Sequence, residues 1–120
     1  YWAALGEAIS LTETAGIKRE LAADILADSS GAANVAPARL PWIMAAIGGK
    51  FPKAAPFEMT SGAKDSSQMV ALARANGFDV PVIDATRKSY RDAAKGPWAG
   101  RDFALLSAWR VVQSKKRKRR

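Results

Sequence analysis

The 120-residue sequence predicts an all-α domain of about six helices, and three observations carry that prediction. Apolar residues recur at intervals of three and four along nearly the whole chain, the spacing that gathers them on one face of a helix. No run alternates apolar and polar residues for long enough to make a half-buried strand. Glycine, proline and serine clusters close each periodic stretch, where they act as stops, turns and caps. There is no internal repeat.

The elements follow in order. Trp2, Leu5 and Ile9 form the stripe of a first helix, broadened by Ala8, Leu11 and Ala15, and Gly16 suits its stop because the residue past a helix end often needs positive φ. That helix is already amphipathic at Trp2 with no capping residue before it, so it reads as the continuation of a longer helix. The pattern resumes with Ile17, Leu21 and Ile25 and ends at Asp28-Ser29-Ser30-Gly31. A third helix is expected around Leu40, Ile43, Met44 and Ile47, with Pro41 in its first turn, where a missing N–H is harmless, and Gly48-Gly49 at its close. Residues 48–60, with Pro52 and Pro56, read as an extended connection. Thr60 or Ser61 can cap a fourth helix that runs to about Asn76, with Met69, Leu72 and Ala73 inward and Gly77 ending it. Pro81 opens a fifth, in which Val82, Ile83, Thr86 and Tyr90 share a face. After Gly96, Pro97 and Gly100, a sixth starts near Arg101 and carries Phe103, Leu106 and Trp109.

Composition narrows the chemistry. At 48% hydrophobic and 25% charged residues the chain has the proportions of a globular domain. It contains neither Cys nor His, which removes disulfides, cysteine nucleophiles, histidine bases and the usual zinc ligands. Proton transfer is left to carboxylates, Lys and Tyr, and no two of the 11 acidic residues are placed by sequence as a cooperating pair. The nine glycines match neither the dinucleotide fingerprint nor the phosphate loop. No apolar stretch approaches the roughly 20 residues of a membrane span, so a cytoplasmic protein without a membrane partner is expected.

The net charge of +8 is unevenly spread. Residues 115–120 are all basic, and without them 13 positive charges face 11 negative, a balance of +2. The chain thus divides into a nearly neutral domain, residues 1–112, and a basic tail, residues 113–120. Like charges in a run repel and favour solvent.

The most informative stretch is Phe57-Glu58-Met59-Thr60-Ser61-Gly62-Ala63-Lys64-Asp65. Lys64 and Asp65 fall in the first turns of the fourth helix, where the helix dipole favours a carboxylate and not an ammonium. A cation set against that preference can serve a group outside the helix, such as a ribose, phosphate or carboxylate. The alternative is that both are solvated surface charges.

This stretch and its neighbours resemble the C-terminal domain of the β-hydroxyacid dehydrogenases, the family of 3-hydroxyisobutyrate and tartronate-semialdehyde reductases related to 6-phosphogluconate dehydrogenase. The similarity runs over roughly residues 3–110. Gly6-Glu7-Ala8 and Ala15-Gly16-Ile17 resemble the family's first helix and its end. Ile25-Leu26, Ser29-Ser30-Gly31, Phe57, Lys64-Asp65, Pro81, Tyr90, Lys95-Gly96 and Asp102-Phe103-Ala104 follow in the family's order. The sequence departs from the pattern after Lys64-Asp65, where Ser66, Ser67, Met69 and Ala71 replace the usual Leu-Gly and the later Ala and Asp.

The resemblance implies that a separate Rossmann domain, absent from this chain, binds most of an NAD or NADP molecule, and that the helical domain closes the cleft and forms a homodimer. It implies that Lys64 contacts the nicotinamide side of the cofactor, that Phe57 walls the substrate pocket and that Asp65 holds polar groups there. It implies a subunit-contact role for Trp42, Trp98 and Trp109, for which core packing is the alternative. The family's catalytic Lys is expected about ten residues before Tyr1, counted along a helix of 3.6 residues per turn, so no catalytic residue is expected here and the chain alone is expected to be inactive. The expected substrate is a small anionic 3-hydroxy acid or its semialdehyde. The competing reading is a helical interaction module that binds nucleic acid or another anionic partner through residues 115–120, with weak, salt-sensitive affinity. Nothing else in the chain favours nucleic acid, and a solubilising terminus accounts for the run as well. Deleting residues 115–120 separates the two, abolishing polyanion binding in the second case alone.

Overall fold

The computed structural model describes residues 1–118, with side chains through Lys115. It contains six α-helices: α1 (Trp2–Thr14), α2 (Arg19–Ala27), α3 (Ala36–Ile47), α4 (Met59–Ala75), α5 (Pro81–Ala93) and α6 (Leu106–Lys118). A single 3-10 turn, Phe103–Leu105, leads into α6. Among the described residues there is no strand, only an isolated bridge between Glu58 and Asp102, so the chain is all-α as predicted.

Two compact units are present. The first comprises, of the described residues, 1–52 and 104–118. In it α1 packs along α6, α3 packs on α6, and α2 lies against α1 and α3. The predicted stripe Trp2, Leu5 and Ile9 is buried, and Leu106, Ala108 and Val111 of α6 are fully enclosed. The α1–α6 approach depends on Gly6. A Cβ there would come within 2.5 Å of the Ser107 carbonyl oxygen and 2.8 Å of Arg110 Cβ. The Ser107 hydroxyl donates to the Trp2 carbonyl at 2.6 Å, and Arg110 pairs with Glu7 across the same seam. Gly16 and Gly49 have φ of 76° and 85°, so both helix stops rest on a conformation that a side chain disfavours.

The second unit, residues 53–103, is an αα-hairpin of α4 and α5 with the segments that flank it. Its buried residues are Met59, Gly62, Ser66 and Val70 of α4, Tyr90 and Ala93 of α5, and Trp98 and Asp102. Gly77, φ 74°, closes α4 as expected.

Several expectations are corrected. The inward face of α4 is not Met69, Leu72 and Ala73. Met69 and Leu72 are 54% and 67% exposed, because the face that meets α5 is built of small residues at 62 and 66. Val82 is likewise exposed while Tyr90 of the same predicted face is buried. On α2 the buried residues are Ala22 and Ala23, and Ile17, Leu21 and Ile25 all face outward. The third helix starts five residues before Pro41, with Pro37 in its first turn, so Pro41 lies inside it. Neither Thr60 nor Ser61 caps α4; the cap position is Glu58, which makes no capping bond. The sixth helix begins at Leu106, not near Arg101. It runs to Lys118, so residues 113–118 continue this helix. Of the basic run only the Lys115 side chain is described, with Nζ 3.7 Å from a Glu13 carboxylate oxygen. The expectation of anion binding by residues 115–120 otherwise lies outside the described residues. Of the three tryptophans, Trp98 is buried. Trp42 and Trp109 are half-buried, under the guanidinium groups of Arg39 at 4.5 Å and Arg110 at 5.9 Å.

Candidate functional site

The residues singled out by sequence all fall in the second unit, on the entry to α4 and its first two turns. The entry is fixed by backbone hydrogen bonds. Phe103 N–H donates to the Phe57 carbonyl at 2.7 Å, Met59 N–H to the Arg101 carbonyl at 2.8 Å and Thr60 N–H to the Ala99 carbonyl at 3.2 Å. Two of the amides that a helix start leaves without an intrahelical partner are thereby satisfied by the 99–101 segment. The start of α4 is therefore held by neighbouring carbonyls rather than left open as an anion site.

Phe57, 38% exposed, stands edge-on to Phe103 with ring centroids 5.1 Å apart. This T-shaped pair orients the ring while one side stays in solvent. Lys64 and Asp65 are adjacent, with the ammonium 3.6 Å from the Asp65 carboxylate and side-chain exposures of 66% and 41%. Lys64 faces outward because each residue turns the helix by about 100°, which puts position 64 nearly opposite the buried positions 62 and 66. Thr60, one turn earlier, is exposed on the same side. The structure thus keeps Lys64 and Asp65 together and accessible. It removes the dipole argument for Lys64, however, since that effect fades within the first turn and Lys64 is the sixth residue of α4.

Beneath this surface lies a group to which no role was given from sequence. Gly62 is in contact with the Tyr90 ring so closely that a Cβ would meet Cε1 at 2.9 Å. The Tyr90 hydroxyl donates to the Phe103 carbonyl at 3.4 Å. Burial, and next the charge of fully buried Asp102, push the Tyr90 phenol well above its ordinary value of 10.0. Ser66 donates to the Gly62 carbonyl at 2.7 Å, satisfying a hydroxyl that must lie in the interior. The sequence places Tyr90 on one face of the fifth helix and in the family's order of residues, and Asp102 in that order alone. Their proximity was not visible there.

Grooves elsewhere include one of about 450 Å³ between α2 and α3 and one of about 240 Å³ at the α4–α5 turn. Neither is lined by Phe57, Lys64 or Asp65. Among the described residues no three carboxylates are grouped as a metal site. No described helix is long and apolar enough to cross a membrane.

Residues 1–109 match the family described as the NAD-binding domain of NADP-dependent 3-hydroxyisobutyrate dehydrogenase. The chain belongs to this family. A comparison with curated proteins finds no match. Membership of the 3-hydroxyisobutyrate dehydrogenase family ties the chain to NAD(P) and to hydroxyacid dehydrogenases as a class. The residues present suit one polar edge of such a cofactor. An exposed ammonium at Lys64 can donate to an amide, a ribose hydroxyl or a phosphate. The glycine-rich loop that cradles a pyrophosphate is not in the sequence.

Proposed function

We propose that this chain is the helical C-terminal domain of an NAD(P)-dependent oxidoreductase acting on a small anionic 3-hydroxy acid or its semialdehyde. The family match over residues 1–109 carries the reading. Lys64 would hold the cofactor's nicotinamide side through its ammonium. Phe57 would wall the substrate end with the ring face that Phe103 leaves uncovered, and Asp65 would hold polar groups beside it. When bound, the cofactor supplies hydride transfer to or from the carbonyl carbon. This chain's own contribution is binding and orientation, while the proton-transfer lysine would lie about ten residues before Tyr1 along the first helix and the phosphate-binding loop in a separate Rossmann domain. The partner is a second copy. Leu21 and Ile25, exposed one turn apart on α2, with exposed Ile17 just before that helix, support an apolar subunit contact.

The test uses the whole gene product and the fluorescence of NADPH and NADH on titration. One of the two is expected to bind, and Lys64→Ala is expected to weaken it about ten-fold, the loss of one charged hydrogen bond. Phe57→Ala and Asp65→Asn are expected to raise KM for the hydroxy acid more than they lower cofactor affinity. A gene product of this length alone, or unchanged affinity in Lys64→Ala, overturns the reading or the assignment of Lys64 respectively.

A further inference from the structure

The groove between α2 and α3 plays no part in the reading above. Its floor is apolar, with Ala23 and Leu40 buried and Met44 half-buried, and it encloses about 450 Å³. Its rim is acidic. Glu20, Asp24 and Asp28 all line it and all are exposed. Their spacing of four residues sets the three carboxylates in one row along α2, one turn apart.

Among the described residues none of the three forms an ion pair, although Glu7, Glu13, Asp65, Asp84 and Asp92 all do. Like charges one turn apart destabilise a helix. A row of three therefore favours a cationic occupant. The apolar floor narrows that occupant further. Lysine and arginine lay their aliphatic stems on apolar surface while their charged heads reach for polar partners, which is what a groove with this floor and this rim can accept. A compact inorganic cation would leave the floor unused.

The sequence contains such a segment. Lys116, Arg117, Lys118, Arg119 and Arg120 are consecutive cations. Within one chain Lys115, on α6, lies 3.7 Å from Glu13 of α1, a residue that does not line the groove. We propose that the α2–α3 groove of one copy docks residues 116–120 of a second copy, with the α2 carboxylates pairing the basic heads over the apolar floor. This contact is separate from the apolar row on α2, and it does not depend on the dehydrogenase reading.

Zero-length carbodiimide cross-linking of the 120-residue chain, mixed as light and ¹⁵N-labelled copies, tests it. Chymotryptic peptides bearing Glu20, Asp24 or Asp28 should be joined to peptides bearing Lys116 or Lys118. Mixed-isotope pairs should be as abundant as the two same-isotope classes together. Same-isotope pairs alone would mean that the run occupies its own groove, and absence of these cross-links would mean that the groove takes something else. Either result overturns the proposal.

A second measurement guards against general charge attraction. A fluorescein-labelled peptide of residues 114–120 should bind the chain saturably in an anisotropy titration. The variant Glu20→Gln/Asp24→Asn/Asp28→Asn should bind it at least about ten-fold more weakly, since charged contacts are lost. Asp79→Asn/Asp92→Asn should bind it unchanged. Equal loss in both variants overturns the proposal.

Discussion

Tyr90 and Asp84 show how single side chains on α5 take opposite electrostatic positions. Tyr90 is enclosed, and burial with the nearby Asp102 charge disfavours its phenolate. A group whose folded pKa is raised contributes stability that is intact below its unfolded value and lost as pH climbs through the folded one. The Tyr90 phenolate step, isolated by difference against Tyr90→Phe at 295 nm, is therefore expected above pH 10 and together with loss of helical ellipticity. Asp84 has the reverse shift. Hydrogen bonds from Arg87 at 2.6 and 2.8 Å, and from Lys88, hold its carboxyl below the ordinary 3.8. Its contribution is present above that value and lost as pH falls through the lowered one. Asp84→Asn is expected to melt below the parent at pH 7, with the gap closing in strong acid. Thermal melts across pH 2–7 check this; a gap that persists at the acid end would contradict it.

At the scale of elements, both close helix pairs depend on a missing side chain. On α1, Gly6 lets α6 approach until its backbone carbonyl would touch any added Cβ, whereas on α4 it is the Tyr90 ring of α5 that crowds Gly62. The obstacles differ in how far they can give. Gly6→Ala meets backbone at 2.5 Å and must push the helices apart, an overpacking cost of about 1–3 kcal/mol. Gly62→Ala meets a ring edge at 2.9 Å that can tilt by a few tenths of an ångström, so a smaller cost is expected. Denaturant titration of the two variants should rank Gly6→Ala as the more destabilised, and the opposite order would show that the α4–α5 seam is the tighter one. The same seam explains why the buried stripe of α4 escaped hydrophobic periodicity. Gly62 and Ser66 occupy it, and neither registers as apolar, although Ser66 satisfies its hydroxyl within its own helix.

At the scale of the whole molecule, exposed Leu21 and Ile25 on α2, with Ile17 just before that helix, give the proposed homodimer a surface that can be broken without touching either core. Leu21→Glu/Ile25→Glu is expected to lower the sedimentation mass from dimer to monomer while helical ellipticity is kept. A monomeric parent, or a dimer that survives the double substitution, removes this row from the subunit contact. Neither outcome bears on the α2–α3 groove, whose carboxylates at 20, 24 and 28 occupy a different row of the same helix.

What the amino-acid order by itself determined was local. Helix existence, the absence of strands and the stops at Gly16, Gly49 and Gly77 depend on periodicity and on φ, properties of neighbouring residues, and all are found among the described residues. The family was also legible, because the order and spacing from Gly6 to Asp102 survive in the bare sequence and match over residues 1–109. The exclusion of cysteine and histidine chemistry needed composition alone. Tertiary structure decided which face each helix buries, that Met69 and Leu72 turn outward, and that Asp102 and Tyr90 lie under the surface bearing Phe57. It also joined Trp2 to Ser107 across 105 positions of chain. A periodic stripe specifies that a helix has an apolar side but not which neighbour covers it. Where α4 meets α5, the covered side includes Gly62 and Ser66, which no hydrophobic pattern marks.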